Sequence, residues 1–269
     1  YLVDAKSLMG IFSLDLLQPI KLIAEKDDPN LFEELKDIIK GKKNEENPKA
    51  PERELPAPGK MSMPLSDVFM RRRSSLDFSD APICDEDLVR ILWAADGLNG
   101  KGNNENHRTT PTTLNWKEID TYVVKANGVW LWVPERRVLS FVHEKDCRKD
   151  FCLLQPMVKQ APVHLVYVYD QAKTQGLMTD LAMQIVQFIN RKNITKMSDE
   201  VMAHAPLLDT GAKVMAVYMA CAALNINCLA RLTFDSEKVH DTLQLTATQM
   251  PLCVQTLGYK PKGLLDLAF

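Results

Sequence analysis

The chain lacks any strong charge imbalance: 33 basic and 35 acidic residues leave a net charge of −2 over 269 residues. A dedicated nucleic-acid binder carries a basic surplus over its domain, so no nucleic-acid partner is expected. It also lacks an apolar run near the ~18–20 residues that cross a bilayer. The nearest, "VMAVYMACAALNINCLA", is broken by Asn225 and Asn227, so no membrane partner is expected either. The opening "YLVDAKSLMG" has no charged-then-apolar leader layout. The six cysteines contain no CxxC pair, and the five histidines show no metal-ligand spacing. Reduced, mostly buried thiols and a cytoplasmic setting are the expectation, with no metal.

What is present divides into three pieces. Residues 42–60 hold Pro48, Pro51, Pro56 and Pro58 among charged side chains, with Leu55 alone as a large aliphatic, and read as a linker. Before it, residues 1–41 show a helix pattern around Leu8–Leu14, an alternating strand at "PIKLIAEK" and an amphipathic helix at "DDPNLFEELKDIIKGK". One strand and two helices are too few to build a core alone. After it, residues 61–269 form the main domain. "PLSDVFMRRR" and "DEDLVRILWAADGLN" read as helices, the second N-capped by Asp85 and stopped by Gly97. "IDTYVVKANGVWLWVPERRVLSFV" reads as three hairpin-linked strands turning at Asn127-Gly128. "PVHLVYVYD" suits a central strand, "NCLARLTF" and "PLCVQTLGYK" two more, with "DSEKVHDTLQL" a short helix between them. "LMTDLAMQIVQFINRK" and the nearly all-apolar "GAKVMAVYMACAALN" read as long helices. Hairpin strands mixed with packed helices make the class α+β, a mixed or antiparallel sheet flanked by helices.

One short stretch, "RRRSSLDF" from Arg71 to Phe78, stands out of this neutral background. Two arginine forks bind a phosphate dianion well, and a serine hydroxyl adds a hydrogen bond. A solvated basic helix end is the plain alternative. The stretch opens the first of four patches: "RRRSSLDFSDAPICDEDLVRILWAADGLN", "RTTPTTLNWKEIDTYVV", "DTGAKVMAVYMACAALNINCLARLTFD" and "VQTLGYKPKG". In this order, from about Pro64 to Lys262, they resemble the FMN-dependent nitroreductase family.

The resemblance implies an NAD(P)H-driven, ping-pong reduction of nitroaromatic, quinone-like or related small-molecule electron acceptors. It implies a homodimer with FMN at the subunit interface and no side-chain nucleophile, the flavin N5 carrying the chemistry. By position, Arg72, Arg73 and Ser74 would hold the flavin phosphate and ribityl chain. Thr112, Thr113 and Asn115 would line the ring, the Asn115 amide matching the donors and acceptors of its pyrimidine edge. Leu232 and Thr233 would lie beside N5, and Lys260 and Lys262 near the phosphate. Leu76 stands where a basic residue is usual, and Leu232 where some relatives have a glutamate. Both departures leave reaction direction and substrate open. Residues 179–206, rich in methionine, would cap the flavin.

Residues 1–41 are similar to the second half of the histidine-containing phosphocarrier protein of sugar uptake. Ser7 falls where some relatives carry a regulatory phosphoserine, though a serine at a helix start needs no role beyond capping. An upstream half, a joint between unrelated pieces and a packed remnant all remain open. The rival to the oxidoreductase is therefore a flavin-binding regulatory protein acting through Ser7.

Overall fold

A computed structural model describes residues 51–100, 107–174 and 194–261, without the side chains of Leu114 and residues 194–202. Ser7, the phosphocarrier-like segment, the helix expected over 177–192 and Lys262 lie outside the described residues.

Seven strands build one sheet: β1 (Glu52–Glu54), β2 (Ile119–Lys125), β3 (Gly128–Val133), β4 (Val138–His143), β5 (Val163–Asp170), β6 (Ile226–Arg231) and β7 (Gln249–Tyr259). Their order is β1-β4-β3-β2-β5-β7-β6, every neighbouring pair antiparallel. The helices are α1 (Leu65–Arg71), α2 (Asp85–Asp96), α3 (Ile194–Ala223) and α4 (Ser236–Leu243). The α+β class expected from the sequence is the one observed.

Period-2 alternation along β5 sorts its side chains between two cores. Val163, Leu165 and Tyr167 pack with Leu88 and Leu92 of α2 and Val217 and Cys221 of α3. Val166 and Val168 pack on the other face with Val239 and Leu243 of α4 and with Phe151. A strand buried on both faces reads as a continuous apolar run, which is why "PVHLVYVYD" announces a central strand.

Three local expectations change. Residues 52–54, expected within the linker, form the edge strand β1 beside β4, and Leu55 is buried behind it. Its charges made it look like linker, but Arg53 pairs with Asp85 and Glu52 with Arg136. The cap of α2 is Cys84 without a side-chain bond, and Asp85 is the first helical residue. Gly97 does end that helix. The apolar helix expected from Gly211 is the second half of α3, which continues through Pro206. Pro206 removes one backbone hydrogen bond, and a proline reads from sequence as a boundary, although a helix packed by its neighbours tolerates it.

The β2–β3 hairpin turns on Ala126 and Asn127, one residue earlier than the Asn127-Gly128 turn expected, because Gly128 is already in β3, paired to Lys125 at φ +122°. A Cβ on Gly128 would sit 2.3 Å from the His143 carbonyl oxygen. Gly128→Ala should therefore cost more than ~1 kcal/mol, read as a lower urea midpoint at unchanged slope. An unchanged midpoint would show that the hairpin relaxes without cost.

Candidate functional site

The three arginines follow from where α1 stops. Arg71 is its last residue and Arg72 its cap, the Arg72 N–H donating to the Val68 carbonyl. Positive side chains complement the helix C-terminus. Beyond Arg72 the backbone extends, and Ser75 N–H donates to the Cys228 carbonyl (3.0 Å) and Ser79 N–H to that of Tyr259 (2.9 Å). The motif is thereby laid across the start of β6 and the end of β7. Phe78 is buried behind it against Val158 and Ala161.

A cleft of about 370 Å³ opens here, with Met70, Arg71, Arg73, Tyr218, Asn227 and Lys260 on its walls. Arg71 Nη1 reaches Asn225 Oδ1 at 3.4 Å, and Arg73 Nη1 donates to the Met70 and Arg72 carbonyls at 2.8 and 2.9 Å. The Arg72 guanidinium lies over the Tyr218 ring, 5.5 Å from its centroid, a cation–π contact. Among the described residues no carboxylate pairs with Arg71, Arg72 or Arg73. Three such cations on one short segment are chemically suited to a phosphate.

Tyr218 is the joint of this region, and sequence reasoning missed it. Its hydroxyl accepts the Ala230 N–H (2.8 Å) and lies 3.0 Å from Ser74 Oγ, toward which its own proton is free to point. Ser74 is thus tied to β6 two residues before Leu232. The Leu232 side chain is 76% exposed, and Thr233 Oγ1 donates to Gln155 Oε1 at 2.8 Å.

Thr112, Thr113 and Asn115 lie on a different surface of α3. Residues 113–115 make one 3-10 turn, with exposed Asn115 at φ +59°, a left-handed conformation that asparagine tolerates. The two threonine hydroxyls, expected to line the ring, are turned inward instead. Thr113 gives both its N–H (2.6 Å) and its hydroxyl (2.9 Å) to the Asp209 carboxylate. Thr112 Oγ1 donates to Glu118 Oε2 (3.3 Å) and accepts the Lys117 N–H (2.9 Å). Nine residues separate Asp209 from Tyr218, which at ~100° per residue places them half a turn apart, about 13 Å along the axis. One chain therefore brings the arginines, Ser74 and Lys260 together, and carries the Asn115 turn on the opposite face of α3.

That inner face is charged. Asp209 and Lys213 are 2% and 3% exposed, and Lys213 Nζ pairs with Asp96 Oδ2 at 2.8 Å. Arg108 completes the group on Asp96. Glu118, fully buried, has its carboxyl pushed up to about 7, chiefly by burial, with the neighbouring Asp209 carboxylate adding to the rise. The signal for this cluster was in the sequence: Asp209 and Lys213 are four apart in the otherwise uncharged stretch of α3 from Pro206 to Ala223, hence on one face.

A second buried chain supports the end of β6. Arg231 donates to the Phe151 carbonyl (2.8 Å) and to Thr256 Oγ1 (2.9 Å), which also contacts His164 Nδ1 at 2.9 Å. The ring of His164 is hydrogen-bonded at Nδ1 alone, since among the described residues nothing bonds Nε2. Burial, with Arg231 and Arg148 close by, pushes this imidazole down to about 3.

Comparison with known proteins places the whole in context. The model of the nitroreductase family matches residues 69–259. A candidate nitroreductase of Methanocaldococcus jannaschii is 19% identical over 216 residues, 77% of this chain and 96% of that protein. A candidate nitroreductase structure from Ralstonia eutropha JMP134 is similar with a TM-score of 0.64 at 21% identity, over 81% of this chain and 97% of that one. A third, from Anabaena variabilis, has a TM-score of 0.57 at 16% identity, spanning 78% of this chain and 42% of that one. At these identities the structural likeness speaks for the fold.

The His164 environment has a measurable consequence. Below about pH 6.5 the unfolded imidazole takes up a proton that the folded one refuses until about pH 3. Its contribution to stability is complete above pH 6.5 and lost as pH falls toward 3. Between pH 7 and 4.5 the native protein should lose about 2–3 kcal/mol more than His164→Gln in urea unfolding. Equal losses would contradict the buried neutral ring.

Proposed function

The chain belongs to the nitroreductase family, flavin oxidoreductases as a group, and on that premise we propose that it is an FMN-dependent enzyme. Its reductant is NAD(P)H, and its oxidant is a nitroaromatic, quinone-like or related small-molecule acceptor. The observation that carries this reading is the arginine cleft, with Arg71, Arg72 and Arg73 unmatched by any carboxylate among the described residues and Lys260 on its wall. A flavin mononucleotide ends in a phosphate dianion, which such a cleft would neutralise. FMN supplies the redox chemistry when bound, taking a hydride equivalent from the nicotinamide and passing it to an acceptor.

The protein's own residues would bind, orient and shield. Arg71 and Arg73 neutralise the phosphate, and Arg72, stacked on Tyr218, stiffens the wall of the cleft. Ser74, held by the Tyr218 hydroxyl, offers a hydrogen bond to phosphate or ribityl oxygen. Asn115 presents its exposed amide to the ring edge, and Leu232 brings an apolar side chain that keeps water from the reacting face. Lys262, outside the described residues, would join Lys260 at the phosphate.

A homodimer reconciles the two faces of α3. A flavin that meets both the arginine cleft and the Asn115 turn would take them from different subunits. The outer stripe of α3 is apolar at Leu207, Leu208 and Met215, and α1 exposes Leu65, Phe69 and Met70. Exposed apolar surface of this extent is typical of an interaction face. The six unpaired cysteines suit a reducing, cytoplasmic setting.

The test is direct. Arg71→Ala with Arg73→Ala removes two charge-assisted contacts of about 1.5–3 kcal/mol each, so FMN affinity should drop by at least ~100-fold. Flavin fluorescence titration measures it, and anaerobic bleaching by NADH checks the native protein in parallel. Unchanged FMN affinity in the double variant would refute the assignment of the cleft.

A further inference from the structure

The buried carboxyl pair under the Asn115 turn has no part in the reading above. Glu118, the residue before β2, and Asp209, on the inner stripe of α3, are 0% and 2% exposed. Asp209 spends both oxygens on Thr113 and Glu118 spends Oε2 on Thr112, so the two carboxyls grip consecutive residues of the turn. No donor among the described residues reaches Glu118 Oε1, which is buried. The acid next to Glu118 is Asp209, close enough to hydrogen-bond. Two carboxylates in that position would repel and share nothing, whereas one proton between them makes the contact a hydrogen bond.

We propose that Asp209 and a protonated Glu118 form a clasp that positions the Thr112–Asn115 turn for cofactor binding, and that losing the shared proton loosens it. Neither is a catalytic residue; both act through the turn. The positioning role rests on the flavin reading given above, while the clasp itself rests on the buried geometry.

On α3, Lys213 lies one turn beyond Asp209 but is committed to Asp96 of α2, as is Arg108. On β2, Asp120 is paired with Lys173. Lys117 adjoins Glu118 in sequence, with its backbone N–H on Thr112. Thr112 and Thr113 are neutral. Burial is the main force holding the proton on Glu118, and Asp209 reinforces it, so the proton is released near neutral pH. The sign follows from linkage. The folded chain keeps this proton to a higher pH than the unfolded chain, so its contribution to stability falls as pH rises from about 4.5 to about 7.

Glu118→Gln fixes the neutral, donor-bearing form. Thermal unfolding without added flavin, from pH 4.5 to 8.5, should show the native Tm falling relative to Glu118→Gln up to about pH 7 and level above it, with the two closest at pH 4.5. Parallel Tm curves over that range would overturn the clasp whatever the flavin does. FMN titration over the same range should weaken at least about tenfold for the native protein and stay level for Glu118→Gln. Diverging Tm curves with FMN binding equally insensitive to pH in both would overturn the positioning role. If neither protein bound FMN at any pH, the cofactor reading and the positioning role would fall together, while diverging Tm curves would still uphold the clasp. Asp209→Ala provides the second variant. It should weaken FMN binding at every pH and flatten its pH dependence, and native-like affinity would count against the clasp.

Discussion

The arrangement depends on the 3.6-residue period of α3. A single helix cannot bury all its sides against one sheet, so its residues divide into an inner and an outer stripe. The inner stripe meets α2, β2 and the Asn115 turn, and there it places Asp209 and Lys213 among apolar neighbours. Half a turn round from Asp209, the half-buried Tyr218 packs its flank on the core, its ring carries Arg72 and its hydroxyl connects Ser74 with β6. Both candidate surfaces are thus set by one helix, and their separation is set by the number of residues between Asp209 and Tyr218.

The polar groups inside the domain follow a consistent logic. Buried charges are costly unless matched, and among the described residues Lys213 is matched with Asp96, Arg231 with carbonyl and hydroxyl acceptors, and Asp209 with Thr113. Glu118 and His164 follow the alternative course of giving up charge, the acid by keeping a proton and the imidazole by refusing one. The Tyr167 hydroxyl donates to Gln255, whose own amide donates to the Val214 carbonyl, so a fully buried phenol joins β5, β7 and α3 without ionising.

Much of the fold was legible because periodicity reports burial. The hairpins from Ile119 to His143, the central β5 and the helices α2 and α4 all lie where alternation and helical spacing put them. What escaped had the wrong composition for its role. β1 is three charged residues whose place is decided by pairing with β4 and by ion pairs across to Asp85 and Arg136. Pro206 masked the length of α3. At the site, the arginine motif was legible as a cluster of one sign, and Arg73 and Lys260 lie on the walls of one cleft. The inward turn of Thr112 and Thr113 was not legible, because a hydroxyl's direction depends on Glu118 and Asp209, and Asp209 lies far along the chain.

The two borders of the sheet carry a consequence for assembly. At one, β1 is too short and too charged to template another strand; at the other, the Ser75 N–H occupies the Cys228 carbonyl and Asn227 is engaged with Asp77. Open backbone edges invite end-to-end polymerisation, and these are blunted. Copies of this chain are thereby steered away from open-ended growth through the described edges of the sheet.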